Sequence, residues 1–418
     1  MRFQTLQEWL SWQEQLYPDI IDLGLHRVQA LLKALDLTRP GFPILTVGGT
    51  NGKGSSVSFA EAMLRAAGHK VGAYVSPHLL RYNERVRVDG IDVSDQEFCE
   101  SFARIDAARG DLRVTYFEFG TLAAIDILFR RGVTAAVLEV GLGGRLDAVN
   151  ALDADVALIS SIGLDHQDWL GPDRESIGRE KAGIFRKGRP AVCGDRRPPA
   201  SLQEQARIIG AELQLIGEHF ERSIQGDTWS WRGRGGELKG LPAPALPGQI
   251  QYDNAASVIA ALQSEPRLQV PESAIREGLR QARIPARFQR RAGAVETVFD
   301  VSHNPDAARV LSDNLLAHPV PGRDVAVLGM YKDKAVEEVA EALRGRFHHW
   351  YLGGLGGARG QSAAALAVRL RKALPDAAVT ESPSVEAAYS KAMSEARPGD
   401  RVVVFGSFQT VAAILGKV

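Results

Sequence analysis

Phe42-Pro43-Ile44-Leu45-Thr46-Val47 is an unbroken apolar run, and it opens directly into Gly48-Gly49-Thr50-Asn51-Gly52-Lys53-Gly54-Ser55-Ser56. Pro40-Gly41 precedes it as a break. Behind it, Val57, Ala60, Met63, Leu64 and Ala67 recur at helical spacing until Gly68. A buried strand, a glycine-rich turn and a helix are therefore expected in that order. Such a turn suits a nucleoside triphosphate. Glycines let backbone N–H groups face a concavity, the helix N-terminus adds its dipole, and Lys53 supplies a cation for the terminal phosphates. A serine hydroxyl beside the lysine can reach Mg²⁺. The strict G-x-x-x-x-G-K-[ST] pattern is not met, because Val47 stands five residues before Gly52 and Gly54 separates Lys53 from Ser55. On the residues alone, a glycine-rich turn with an incidental lysine is the alternative.

Further apolar runs extend the same rhythm: Lys70–Val75, Thr134–Val140 and Asp155–Ser160. Near-continuous apolar strands alternating with helices imply a parallel sheet covered on both faces. Two amphipathic stretches, roughly 4–17 and 25–36, precede the first strand. Around 223–240 the pattern alternates through Thr228-Trp229-Ser230-Trp231 and turns at Gly233–Gly236, which reads as an antiparallel hairpin at the rim of the sheet. The segment Gln281–Arg291, containing Pro285, leads into a second βα series with strands at Val295–Val301, Asp324–Leu328, His349–Leu352, Ala377–Glu381 and Arg401–Phe405. The expectation is an α/β protein with two domains. The first, 1–286, holds the phosphate loop on a mostly parallel sheet. The second, 287–418, is smaller and Rossmann-like.

Composition agrees. At 418 residues the chain has room for more than one domain. Fifty Lys+Arg against fifty Asp+Glu give zero net charge, which argues against a nucleic-acid binder. Cys99 and Cys193 are the only cysteines, too few for a disulfide framework. With no signal peptide and no apolar stretch of ~20 residues, a cytoplasmic protein without a membrane span is expected. The 42 glycines exceed the usual share of about 7%. Many fall at strand ends, in 48–54, 141–144 and 353–360. The last group has no evident role.

Several side chains cluster after strands. Glu139 closes an apolar run, where a carboxylate is expensive unless it is paired or binds a metal. Ligands collect at strand carboxyl ends in open α/β sheets, although a structural ion pair fits Glu139 equally well. His166, in Gly163-Leu164-Asp165-His166-Gln167-Asp168, projects toward the same edge. An imidazole is an unusual ligand for Mg²⁺, which prefers oxygen. Lys181, in Arg179-Glu180-Lys181-Ala182-Gly183-Ile184, sits at the start of a possible turn, and spacing alone makes it an exposed lysine. Asp300 and His303 lie in Phe299-Asp300-Val301-Ser302-His303-Asn304-Pro305, at a strand end or in an Asn-Pro turn.

Gly49–Ser55, Ser76-Pro77-His78, Tyr116-Phe117-Glu118, Glu139–Asp147, Leu164-Asp165-His166, Glu180–Phe185 and Asp300–Pro305 occur in one order. Together they resemble the folylpolyglutamate synthase/dihydrofolate synthase family within the Mur ligase-like ATP-dependent amide ligases. The similarity runs from Ile21-Asp22-Leu23-Gly24-Leu25 to Phe405-Gly406-Ser407-Phe408. It implies L-glutamate ligation to dihydropteroate, giving dihydrofolate, and of further glutamates to reduced folates, through an acyl phosphate. That places the chain in folate biosynthesis and one-carbon metabolism. Thr50, Asn51, Gly52, Lys53, Gly54 and Ser55 would hold ATP, joined across a domain cleft by Asn254, Arg287 and Asp300. Ser55, Ser76, Glu139, His166 and Lys181 would hold Mg²⁺, two ions in all, with Lys181 carbamylated so that its carbamate oxygens suit the metal. Lys53, Lys181 and His166 would be catalytic. Leu23, Gly24, Thr115, Tyr116, Phe117, Glu118, Leu146, Asp147 and Ala148 would form the pterin surface, with His303 and Ser407 at the glutamate site. Gly49 replaces a frequent alanine and Ser302 a frequent alanine, both small for small and expected to leave function intact. A monomer is expected. The competing readings are a Mur ligase acting on a UDP-muramyl peptide and a nucleotide-binding P-loop module without ligase activity.

Overall fold

The structure, a computed structural model, describes residues 2–17, 22–234 and 236–417. Ile21, where the family resemblance begins, and Gly235, inside the expected Gly233–Gly236 turn, lie outside the described residues. The chain forms two compact units, 1–245 with 251–283, and 246–250 with 284–418.

In the first unit the strands are β1 (Ile44–Gly48), β2 (Val71–Tyr74), β3 (Val86–Val88), β4 (Ile91–Asp92), β5 (Ala135–Glu139), β6 (Val156–Ile159), β7 (Pro190–Cys193) and β8 (Glu212–Leu215). They form one sheet in the order β4-β3-β2-β5-β1-β6-β7-β8. The pairs from β2 through β8 are parallel, and β3 and β4 add an antiparallel edge. Every residue of β1, β2, β5 and β6 is buried. This accounts for their unalternating apolar sequences, because helices cover both faces. Helix Lys53–Ala66 is buried along Gly54–Leu64 rather than on one stripe. Helix Glu272–Gln281 crosses it so closely that a Cβ on Gly278 would lie 2.7 Å from the Met63 nitrogen.

The stretch around 223–240 is more than a hairpin on the main sheet. It is a separate three-stranded antiparallel sheet in the order β11-β10-β9, built from β9 (Glu221–Gln225), β10 (Thr228–Gly233) and β11 (Gly236–Pro242). Alternation decides its packing: Trp229 and Trp231 of β10 are buried, and their neighbours are more exposed.

The second unit carries β12 (Gln289–Arg291), β13 (Glu296–Phe299), β14 (Asp324–Leu328), β15 (His349–Gly353), β16 (Val379–Ser382) and β17 (Arg401–Phe405) in the order β12-β13-β17-β14-β15-β16. All pairs are parallel except β12 with β13. Its core includes Val298, Leu311, Ala326, Leu352, Leu366, Val403 and Phe405. Packing explains part of the third glycine group: a Cβ on Gly353 would lie 2.4 Å from Val385 Cα, and one on Gly360 2.1 Å from the Leu355 carbonyl, whereas Cβ atoms on Gly356 and Gly357 would meet nothing within 4 Å.

Among the described residues, no helix is long and apolar enough to cross a membrane.

Candidate active site

Strand order assembles the first half of the site. β2, β5, β1 and β6 are consecutive neighbours, so the segments leaving their carboxyl ends emerge side by side. These segments carry Ser76, Glu139, the loop 48–54 and the stretch Ser160–His166. Glu139 is level with Val47, and Gly48 with Ile159. Sequence-remote residues thus meet at one sheet edge, where open α/β sheets place ligands.

The loop is held rigidly. The Thr50 N–H donates to the Ser161 carbonyl at 2.8 Å. The Thr50 hydroxyl donates to the Gly163 carbonyl at 3.1 Å and accepts from the Gly163 N–H at 3.0 Å. The Asn51 carbonyl accepts from the Ser160 hydroxyl at 2.6 Å and from the Ser161 hydroxyl at 2.9 Å. Gly52, at φ 86°, begins helix Lys53–Ala66 in a conformation that glycine adopts without steric cost. A Cβ there would lie 2.8 Å from Asn254 Oδ1, so the Asn254 amide rests on this turn. Lys53 Nζ donates to the Gly49 and Thr50 carbonyls at 3.0 and 3.3 Å. Ser55 is buried in the first turn of the helix. The exchange at Gly49 is not sterically neutral here, because a Cβ would meet the Ser160 hydroxyl.

Lys181 departs most from the reading by spacing. It lies in the last turn of helix Arg174–Ala182, not at the start of a turn, and is only 3% exposed. Burial, with the Lys53 ammonium nearby, brings its amine down to about 7, against favourable fields from Asp165 and Asp147. The end of the helix that carries it is stapled to the glycine-rich loop after β5. The Arg145 N–H donates to the Glu180 carbonyl at 2.9 Å, and the Arg145 guanidinium pairs with Glu180 at 2.9 Å. A Cβ on Gly144 would lie 2.9 Å from the Glu180 carbonyl oxygen and 3.0 Å from that of Lys181. The Asn150 amide closes the staple onto the Arg145 and Gly183 carbonyls, each at 3.0 Å. Asp147 in the same loop accepts from the N–H groups of Leu142 at 2.8 Å and Val149 at 3.0 Å. Its burial nevertheless pushes it up to about 6. His166 follows β6 in a left-handed conformation, φ 52°, with its Nε2 3.9 Å from Asp165.

Three segments matched to a pterin surface also meet. Arg27 pairs with Asp22 at 2.8 Å and with Glu118 at 2.9 Å, tying the Leu23-Gly24 stretch to the start of helix Tyr116–Arg131. A Cβ on Gly141 would lie 2.4 Å from the Phe117 ring, so that helix start also packs on the loop reaching Leu146, Asp147 and Ala148. The Thr115 hydroxyl caps the helix by accepting from the Glu118 N–H at 3.2 Å, and Glu118 accepts from the Thr115 N–H at 2.8 Å. The Arg85 guanidinium, unremarked in the sequence, adds a buried cation: it donates to His78 Nδ1 at 3.0 Å and lies over the Tyr82 and Tyr116 rings. Burial first, then Arg85, holds His78 down at about 4, so it is neutral.

In the second unit the adjacency of β13 and β17 brings Asp300, Ser302 and His303 to the same sheet edge as Ser407. Asp300 accepts from the N–H groups of Phe288 at 2.8 Å and Ser302 at 2.9 Å. Arg287 is thereby presented on a constrained turn, flanked by Ala286 at φ 58° and Phe288 at φ 47°, positions rarely taken by residues with a side chain. The single proton of the Ser302 hydroxyl has two acceptors within reach, the Asp300 carboxylate and, at 3.2 Å, the Ala307 carbonyl. Asn304 caps helix Pro305–Ala317, and the Ser407 hydroxyl caps helix Phe408–Leu415, accepting from the Thr410 N–H at 3.0 Å. His303 Nδ1 is 2.9 Å from the Val301 carbonyl.

A metal at the first unit's edge has to be held by a mixed set of donors. Among the described residues no three His, Cys, Asp or Glu groups are placed to bind one. Hydroxyls of Ser55 and Ser76, the Glu139 carboxylate and the His166 imidazole fit such a set when Lys181 contributes oxygen rather than an ammonium.

Comparison with known proteins identifies the family. The Mur ligase middle domain matches residues 47–262, and the Mur ligase glutamate ligase domain matches 286–408. The dihydrofolate synthase/folylpolyglutamate synthase of Escherichia coli is 44% identical over 98% of this chain and 94% of its own length. The E. coli FolC structure in complex with DHPP and ADP superposes with a TM-score of 0.94 at 44% identity, covering 99% of this chain and 97% of that one. A bifunctional folylpolyglutamate synthase/dihydrofolate synthase with Mn, AMPPNP and L-glutamate bound gives 0.91 at 45% identity, with 99% and 98% covered. With its phosphate loop, buried lysine and paired α/β units, the chain belongs to the dihydrofolate synthase/folylpolyglutamate synthase family of ATP-dependent Mur-type ligases.

Proposed function

We propose that the chain joins L-glutamate to dihydropteroate and further glutamates to reduced folates at the edge where β2, β5, β1 and β6 end. The observation that carries the assignment of residues is the convergence there of Lys53, Glu139, His166 and the buried Lys181. A carboxylate does not condense with an amine at neutral pH, because oxide is a poor leaving group. Phosphorylation by ATP converts it to an acyl phosphate, from which the glutamate amine displaces phosphate. That first step crowds anionic oxygens together. The N–H groups of the loop Thr50–Ser55 and the Lys53 cation offset this charge. Asn254, Arg287 and Asp300 are assigned to the nucleotide, and His303 and Ser407 to the incoming glutamate. The pterin is assigned to the junction of Leu23-Gly24, Thr115–Glu118 and Leu146–Ala148, where Tyr116 and Phe117 offer apolar surface. Thr115 and Glu118 serve it by holding the helix start in place.

Mg²⁺, as two ions, would neutralise phosphate charge between Ser55, Ser76, Glu139, His166 and a modified Lys181. The Lys181 environment supports carbamylation: only a neutral amine adds to carbon dioxide, and this amine is partly neutral near pH 7. We read the chain as a cytoplasmic monomer without a nucleic-acid ligand. Its neutral net charge fits that reading.

The test is phosphate release from ATP with glutamate plus dihydropteroate, tetrahydrofolate or a UDP-muramyl peptide in parallel. Release with the two pterin acceptors supports the assignment. Release with the muramyl acceptor alone, or with no acceptor, overturns it. Lys53→Ala should lower ligation by on the order of 10²–10³ or more while the protein stays folded.

A further inference from the structure

The three-stranded sheet β9–β11 is attached to the phosphate loop through one helix. Helix Ile250–Ser264 carries Asn254, whose buried amide rests on Gly52 and is held from behind by Gln251 Oε1 at 3.0 Å. The residue before it, Asp253, is buried and receives two arginines. Arg222 of β9 donates to it at 3.0 Å, and Arg196, from the segment after β7, donates at 2.8 and 3.2 Å. Arg196 also forks onto Glu221 of β9 at 2.7 and 3.1 Å, so that one carboxylate pair and one arginine pair close a ring. One strand over, the Trp231 indole N–H donates to the Ala256 carbonyl at 3.1 Å, and the Trp229 ring meets the Tyr252 ring edge-on at 5.7 Å. A buried carboxylate shared by two guanidinium groups is expensive to assemble, and removing one partner leaves charge uncompensated. The whole arrangement bears on Tyr252–Ala256, the stretch of helix that carries Asn254.

We infer that the β9–β10 sheet, acting through Arg222, Asp253, Arg196, Glu221 and Trp231, positions Asn254 on the Gly52 turn and so sets nucleotide affinity. These five are positioning residues, none of which is assigned to the ligand. The inference rests on the assignment of Asn254 to the nucleotide. A helix that could rotate or slide would let the amide leave the loop, and nucleotide binding would then bear the cost of recapturing it. A frame around the loop already exists, covalent from β1 and hydrogen-bonded from the segment after β6. What the small sheet adds is a fixed position for Asn254, the side chain that meets Gly52 from helix Ile250–Ser264.

The experiment measures ADP dissociation by calorimetry, together with KM for ATP, KM for the pterin acceptor, kcat and thermal melting. The variants are Arg222→Gln, Arg222→Lys, Asp253→Asn, Trp231→Phe and Asn254→Ala. In Arg222→Gln and Asp253→Asn, Kd for ADP and KM for ATP should rise about tenfold, the factor expected for loss of one charge-assisted contact. Acceptor KM and kcat should stay within about twofold, the margin set by ~0.4 kcal/mol. Arg222→Lys should recover part of the loss, and Trp231→Phe should show a smaller shift in the same direction. If Asp253→Asn fails to fold, Arg222→Gln and Trp231→Phe, which leave Asp253 paired with Arg196, carry the test. The inference fails if ADP affinity is unchanged in the folded variants while Asn254→Ala weakens it. It also fails if kcat falls and acceptor KM rises by as much as ATP KM, the mark of a merely structural role. Should Asn254→Ala itself leave ADP affinity intact, the assignment of Asn254 falls first and this inference with it.

Discussion

A methyl group on Gly49 would lie 2.1 Å from the Ser160 hydroxyl oxygen, which itself donates to the Asn51 carbonyl at 2.6 Å. The two positions are therefore sterically coupled across β1 and β6. Gly49→Ala must turn the Ser160 hydroxyl away from Asn51, at a cost of about 1–2 kcal/mol for the lost buried hydrogen bond, in addition to the backbone strain of a side chain at φ 144°. Ser160→Ala loses the same bond but clears the space. The double variant should consequently cost less than the sum of the two single ones. Urea unfolding of all four proteins reads the coupling; costs that add to within about 0.5 kcal/mol would show that the two sites do not interact.

Lys181 makes a prediction about pH. Its amine titrates at about 7 in the folded chain against 10.5 for an ordinary lysine, with burial the main cause and Lys53 the second. Between those values the unfolded chain holds a proton that the folded chain has released. Stability relative to Lys181→Met should then rise with pH through this window, by up to about 1.4 kcal/mol per pH unit. Below pH 7 both states are protonated and the full burial cost is present. The comparison belongs in buffer free of carbon dioxide. A stability difference that is flat across the window would mean that the ammonium is already accommodated.

The sheet edge was legible in the sequence because β1, β2, β5 and β6 are buried on both faces, and so appear as apolar runs whose ends point to Lys53, Glu139 and His166. The burial of Lys181 was not. Helix Arg174–Ala182 is polar along most of its length, and its end is packed against a loop 35 residues earlier whose fit depends on the bare backbone of Gly144. Arg85 was missed for a related reason: nothing local marks an arginine as buried when its partners are His78, Tyr82 and Tyr116. β9 was missed because Glu221-Arg222-Ser223-Ile224-Gln225 carries charges that pair with Asp253 and Arg196 instead of an apolar face. β12, three residues long, is too short to show a period.

Gln13 stands on the buried face of helix Leu6–Leu16, one turn beyond Trp9, at 1% exposure. Among the described residues neither its amide oxygen nor its amide nitrogen has a hydrogen-bond partner, and the Trp9 indole nitrogen likewise has none. Burying an amide without partners costs about 1–3 kcal/mol. Gln13→Leu keeps nearly the same volume and removes that cost. It should raise stability by about 1–2 kcal/mol and leave ligation rates unchanged. A lower melting temperature in Gln13→Leu would indicate that the amide is satisfied within the core after all.

Gly144 separates the role of the loop from that of its charges. A Cβ there would strike the carbonyl oxygens of Glu180 and Lys181 at 2.9 and 3.0 Å, backbone atoms that no rotamer change can move aside. Gly144→Ala must then displace the end of helix Arg174–Ala182 that carries Lys181, while every ionisable group of the site remains present. Overpacking of this kind costs about 1–3 kcal/mol, and a shift approaching 1 Å in a catalytic group lowers rates by on the order of 10². Gly41→Ala is the control, because nothing lies within 4 Å of a Cβ at that position. The expected result is a folded Gly144→Ala protein with a modest loss of melting temperature, ADP affinity near that of the parent and ligation reduced far out of proportion to the loss of stability. If Gly144→Ala retained full ligation, the seating of Lys181 by this loop could not be what readies it for reaction.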